Sequence, residues 1–256
     1  MSPETNSADS AGVPWEGRRF EPNPAAGDDG SADPALYAAL TNFRNGSGDQ
    51  IAIVEALRTA RVLIPLIAEK GEEGVAPSGL AVDKTQELSI VTVAAPDGRT
   101  VLPIFTSVDA MRTWDPLARP IPVAGVRAAL SAASDQTDLI VIDPTAETEY
   151  IVRRPAVWAL AQDVPWVPSA ESPEVFAALQ ESVATELAVI DLTMASGDPQ
   201  ARLHGPELVV SLELVDGLDQ TQLDAVLQRL AQRWAADNRV AVLVDSLSVK
   251  LVRSAS

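Results

Sequence analysis

No cysteine occurs among the 256 residues, and that absence removes several chemistries at once. Disulfides, zinc–thiolate sites, iron–sulfur clusters and a cysteine nucleophile all need the thiol. Histidine is nearly missing as well, with His204 the only one. A His-rich metal site is therefore impossible, and a Ser-His-Asp triad would have to use that residue. Lysine is confined to Lys70, Lys84 and Lys250, beside sixteen arginines. Long apolar runs are lacking too: the longest, VLIPLIA at Val62 to Ala68, falls far short of the ~20 residues a membrane helix needs. The first twenty residues, MSPETNSADSAGVPWEGRRF, have neither the basic start nor the apolar core of a secretory signal. The expected location is the cytoplasm.

Acidic charge, by contrast, is plentiful. The formal net charge of −17 repels phosphate backbones and anionic headgroups, so neither nucleic acid nor membrane is expected as a partner. An apolar content of 46% is enough for a real core. The length suits one large domain or two of about 100 residues.

Residues 1–33 hold seven acids against Arg18 and Arg19, with repeated Pro, Gly and Ser. That composition predicts a disordered acidic tail, in which Trp15 and Phe20 are the only aromatic groups that could dock on a surface. Order is predicted from Asp33-Pro34, an N-cap followed by proline. Leu36, Leu40 and Phe43 recur at helical spacing, and Asn45-Gly46 ends the helix. Ser47 with Gln50 suggests a capping box for a second helix, so the pair should form a hairpin. RVLIPLI (61–67) predicts a strand, at an edge or bulged because Pro65 lacks a ladder donor. Residues 69–84 predict a flexible loop. Glu87 to Phe105 predicts a hairpin around Pro96-Asp97-Gly98. A helix opening at Thr106, an extended RPIPV piece, an Ala-rich helix and a second hairpin over 137–154 follow, closed by the helix PAVWALA.

Three prolines within 163–173 mark a linker, and Trp166 in it would clamp onto a domain or meet a partner. Beyond it the pattern predicts helix 174–186, strands 187–194 and 207–215, helix 219–236, and paired strands 239–246 and 247–253. Asp219 and Gln222 cap the long helix, while Leu223, Val226, Leu227, Leu230 and Trp234 form one apolar stripe. The expected architecture is α+β, two small mixed domains of β-hairpins packed with helices behind an acidic tail. Its expected boundaries are 1–33 tail, 34–162 first domain, 163–172 linker and 173–256 second domain.

LYAAL (36–40), RVLIPLI (61–67), VLPIFTS (101–107) and VIDPT (141–145) together resemble the SseB family, named for an enhanced serine-sensitivity phenotype. The likeness covers roughly residues 34–160, and the element order from about 172 to 253 is similar to the family's C-terminal domain. Where the family usually has Asn-Pro, this chain has Asp143-Pro144. The resemblance implies a two-domain α+β protein of undefined biochemical activity, and it supplies no catalytic residues to carry over.

The candidate binding surface is Phe105, Thr106, Ser107, Asp143 and Pro144. Free N–H groups at a helix start, flanked by hydroxyls, can hold an anion, and a strand-to-helix turn can present Ser107 as a nucleophile. A structural reading competes: Thr106 as N-cap, Asp109 answering the helix dipole, and Asp143-Pro144 setting a turn. No G-x-S-x-G elbow, G-x-G-x-x-G fingerprint or lysine-bearing phosphate loop is present. His204 sits in a Gly/Pro-bounded loop and is expected in solvent. No catalytic residue, metal site or cofactor is expected. The predicted function is a non-catalytic cytoplasmic interaction or regulatory protein with a protein partner. The alternative is a small-molecule-binding protein or enzyme using Thr106/Ser107.

Overall fold

The computed structural model describes residues 27–68, 88–90, 92–95, 97–134, 137 and 139–252. Residues 1–26, with Trp15 and Phe20, and the loop expected at 69–84 lie outside the described residues. Residues 27–33, expected as the end of the tail, are among the described residues. The Arg61 guanidinium holds the Asp28 carboxylate and the Ser31 carbonyl, so residues 28–31 lie along the folded part.

The chain is α+β. Helix α1 (Pro34–Arg44) starts where Asp33 accepts from Ala35 and Leu36, and ends at Asn45 with Gly46 left-handed at φ 73°. Helix α2 (Gln50–Thr59) is capped by Asp49, not by the expected Ser47. The Ser47 hydroxyl instead donates back to Asn42, folding into the turn that closes α1. Leu36 and Leu40 of α1 join Ile53 and Leu57 of α2 in one buried cluster.

Strand β1 (Arg61–Ala68) is central rather than at an edge. It lies between β2 (Leu88–Ile90) and an antiparallel strand ending at Ala124. Pro65 is tolerated there because Pro120 stands opposite it. Leu63 exchanges both backbone hydrogen bonds with Phe105 on β1's other side. Two residues on, at the same parity, Pro65 therefore turns its nitrogen away from Pro120, and neither proline is asked for a donor in that pair.

A four-stranded sheet follows, in the order β3 (Val93–Ala94), β4 (Thr100–Ile104), β6 (Ile140–Ile142) and β7 (Tyr150–Val152). Of the hairpin expected over 87–105, only Val93–Ala94 pairs with β4, turning at Gly98, φ 85°, while Leu88–Ile90 joins β1 instead. The β4–β6 pairing is parallel, so both strands deliver their carboxyl ends to one side. Between them run α3 (Val108–Trp114), β5 (Arg119–Ala124) and α4 (Gly125–Ser134), and α5 (Arg154–Ala161) closes the region. The RPIPV piece is thus a strand, paired with β1.

Helix α4 begins at Gly125 for a steric reason. A Cβ there would sit 1.9 Å from the Leu57 carbonyl oxygen. Gly125→Ala should destabilise by about 2–3 kcal/mol, the cost of forcing packed backbone apart. A urea melt of the two proteins measures it.

Of the expected linker, Trp166 is buried in the same cluster as Leu57, Ile104 and Tyr150, so it clamps. After a 3₁₀ turn, Ser169–Glu171, come α6 (Pro173–Val183), β8 (Val189–Ser196), β9 (Leu208–Leu214) and α7 (Gln220–Ala236). Helix α7 carries the full capping box between Asp219 and Gln222, and Val226, Leu230 and Trp234 are its buried face. The run expected as strand 239–246 is instead helix α8 (Asn238–Leu243), with Asp237 accepting from the Arg239 N–H at its start. It buries Val240 among Val175, Leu230 and Trp234. Only β10 (Leu247–Val252) is a strand, and it pairs parallel with β9. Among the described residues, no helix is long and apolar enough to cross a membrane.

Candidate functional site

The parallel pairing of β4 and β6 places Phe105-Thr106-Ser107 and Asp143-Pro144 side by side. Open α/β sheets commonly bind ligands outside such carboxyl ends. Here that place is filled from within. The Thr106 N–H donates to Asp143 Oδ1 at 2.8 Å, and its hydroxyl donates to Asp143 Oδ2 at 2.7 Å. The Thr106 carbonyl accepts from Arg61 Nη1 at 3.0 Å. Thr148 adds a third bond to the carboxylate, at 3.1 Å. Thr106 and Asp143 are both buried.

The anion that a strand–helix joint can hold is therefore the chain's own Asp143. Burial pushes its carboxyl above the ordinary value, and the bonds from Thr106 and Thr148 offset that only in part. Its backbone is left-handed at φ 45°, as is Thr145 two residues on at φ 70°. Such a conformation is uncommon for Asp and a real outlier for a β-branched residue. The Glu149 carboxylate steadies the turn by accepting from the Thr145 N–H.

Thr106 is not the N-cap of α3. That role belongs to Ser107, whose hydroxyl accepts from the Ala110 N–H at 3.1 Å. Thr106 is engaged by Asp143, so the adjacent hydroxyl takes over the helix. The Val108 N–H is also satisfied, by the Gly30 carbonyl of the N-terminal strap. Ser107→Ala should cost about 1 kcal/mol, the usual loss of a capping hydroxyl. Chemical denaturation reads it directly. Phe105 is fully buried, bridged to Leu63 by its backbone and tilted against Trp114 at 5.3 Å. Pro144 is half-buried. Of the five, Ser107 lines a groove of about 760 Å³ walled by the strap, α3 and β5.

The model of the SseB protein N-terminal domain matches residues 36–159, a span that contains this joint whole. Residues 36–159 are similar to the SseB protein N-terminal domain. The comparison with curated proteins gave no match, and neither did the comparison with solved structures. The SseB match ends at residue 159.

Just inside that limit lies a constellation with no motif to announce it. Arg153 is buried, and its Nη2 donates to Asp198 Oδ2 at 2.6 Å and to the Gly205 carbonyl at 2.8 Å. Its Nη1 reaches Asp245 Oδ2 at 3.0 Å and Ser246. Arg99 grips the same Asp245 with two bonds, at 2.8 and 3.0 Å. Arg154 Nη2 donates to the Ala241 and Val244 carbonyls at the end of α8. Three arginines of the SseB-matched span thus reach acceptors beyond residue 197, although Arg99 also holds Asp97. The signal in the sequence was the Arg153-Arg154 pair at a strand end, but nothing local names its partners. His204 is exposed. Among the described residues, no group of three or more His, Asp or Glu side chains could hold a metal ion.

Proposed function

We propose that the chain is a non-catalytic cytoplasmic protein that works by interacting with, or regulating, another protein. One observation carries this reading: the joint's reactive-looking groups are spent on one another. The Thr106 hydroxyl donates to the Asp143 carboxylate, and both groups are buried, so the pair has no open face for a substrate. A nucleophile needs a base within reach and an open approach, and Thr106 is buried. Affinity capture of the full chain after cross-linking in cells tests the proposal. The expected result is repeated recovery of the same protein partner, and repeated recovery of none would overturn it.

The groove beside Ser107 favours one other reading, a small-molecule site that uses Ser107 and Asp109 at its rim. Its volume is within the range of ligand pockets. A thermal-shift screen of metabolites separates the two. A ligand that raises the melting temperature, and does so less in Ser107→Ala, would favour this reading.

A further inference from the structure

A sheet edge either protects its backbone or offers it to another strand. The edges of this chain are treated very differently. At β5 the residues that face outward include Pro120 and Pro122, which have no N–H to give. At β7 the Ile151 N–H is taken by the Ala201 carbonyl of the β8–β9 loop. At β8 the register shifts between Val189 and Asp191, an irregularity that bends an edge away from pairing.

Among the described residues, strand β10 has no such device, and Lys250 is the one charge that guards it. It is regular along its whole pairing with β9 and contains no proline. The Leu208 N–H donates to the Ser246 carbonyl, so even-numbered residues turn their backbone toward β9. Leu247, Val249 and Leu251 turn theirs outward. Their side chains share a face with Leu208, Val210 and Leu212, which are buried beneath the helices. Yet Val249 and Leu251 remain 37% and 44% exposed. Free ladder groups and bare apolar side chains thus coincide on one strand, the combination that strand addition uses.

We infer that β10 is a self-association strand: two copies pair their β10 edges antiparallel, about a two-fold axis at Val249, into one continuous sheet. The strand is complementary to itself in this register. Leu247 stands opposite Leu251 of the second copy, and Val249 opposite Val249. Lys250, the strand's only charge, meets the Ser248 hydroxyl. The outward-facing backbone groups belong to the same odd-numbered residues, so each opposed apolar pair exchanges its N–H and C=O bonds. Centring on Lys250 instead would set two like charges directly opposite, which is destabilising. Centring on Ser248 would shorten the overlap and put Leu251 against Asp245. A two-fold contact that uses one patch on both copies closes on itself, so assembly stops at the dimer. Each copy carries −17, so the bodies repel and added salt strengthens the contact by screening.

Sedimentation of the full chain across a concentration series, at low and high salt, tests this. The expected result is a monomer–dimer equilibrium that tightens with salt. Val249→Pro removes an outward N–H and leaves the β9 ladder intact, and it should weaken the dimer at least about tenfold. Val249→Lys, which sets two charges on the axis, guards against a fold defect in the proline variant. Unchanged circular dichroism shows that either is folded. In this cysteine-free chain, Val249→Cys should oxidise to a symmetric disulfide, because opposed residues of a bonded pair lie about 5.5 Å apart at Cα. Ser248→Cys should not, since it faces Lys250. A chain that stays monomeric throughout overturns the inference. So does a dimer indifferent to both Val249 variants, or one that cross-links through Ser248→Cys alone.

Discussion

Arg153→Ala should lower the stability of the chain by about 3–5 kcal/mol, the usual cost of removing one partner from a buried ion pair. The expected readout is a fall in the urea midpoint with the slope of the transition preserved. The loss comes less from the four bonds themselves than from what they leave behind. Asp198 would keep only the Arg202 and Leu203 N–H groups, with its charge still buried. Asp245 would keep Arg99 alone among its cationic partners. Arg153→Lys should recover part of the loss and no more, because an ammonium cannot span Asp198 and Asp245 as the planar guanidinium does. A lysine variant as stable as wild type would show that the fork geometry is irrelevant.

The same cluster fixes a pH dependence. Burial raises the Asp245 carboxyl, but Arg99 and then Arg153 outweigh it and hold the group below its ordinary value. An acid depressed in the folded state adds stability above its unfolded pKa of about 3.9, and loses it as pH falls through the folded value. Wild type should therefore weaken in acid below about pH 4, and Arg153→Ala should flatten that decline.

Asp143 responds in the opposite direction. Its carboxyl is raised, so the folded state binds a proton more tightly than the unfolded chain does. That contribution is present below the unfolded value and is lost as pH rises through the folded one. Above that folded value the buried charge works against the fold, although its acceptor oxygens are indispensable. Asp143→Ala should cost about 3 kcal/mol or more, since it leaves the Thr106 N–H and hydroxyl buried without their partner. It also puts a residue that resists left-handed backbone at φ 45°. Asp143→Asn should be close to neutral at pH 7. Its carbonyl can still accept from the Thr106 N–H, its amide can donate to a threonine hydroxyl, asparagine tolerates that backbone, and no charge is buried. Asparagine is also the residue the SseB likeness leads one to expect there. Equal stability of the alanine and asparagine variants would refute the hydrogen-bond account.

What could be read from the sequence follows the range of the forces involved. The capping box of α7 was legible because Asp219 and Gln222 are three residues apart and satisfy each other. The cap of α3 was misplaced by one because Thr106 and Ser107 are chemically alike. The choice between them is made by Asp143, 37 residues away. Residues 239–246 read wrongly as a strand because a short apolar run has no period to measure. Its packing against α6 and α7 decides for helix. The central position of β1 depended on a second proline across the ladder, a fact that belongs to Pro65 and Pro120 jointly. Of the candidate site, the meeting of Thr106 with Asp143 was foreseeable from the two strand ends. Its closure by Arg61 and Thr148 was not, and neither was the Arg153 cluster, whose partners lie 45 and 92 residues away.

The β8–β9 loop has a consequence for how the molecule comes apart. Ala201 from that loop completes the β7 edge and shares the first hydrophobic cluster with Trp166 and Tyr150, although the SseB match stops at residue 159. A protease that trimmed the chain at that limit would strip the sheet of its border and leave hydrophobic surface bare. The segment that heredity recognises is thus shorter than the segment that can stand alone in water, and digestion should yield a stable core reaching past residue 203.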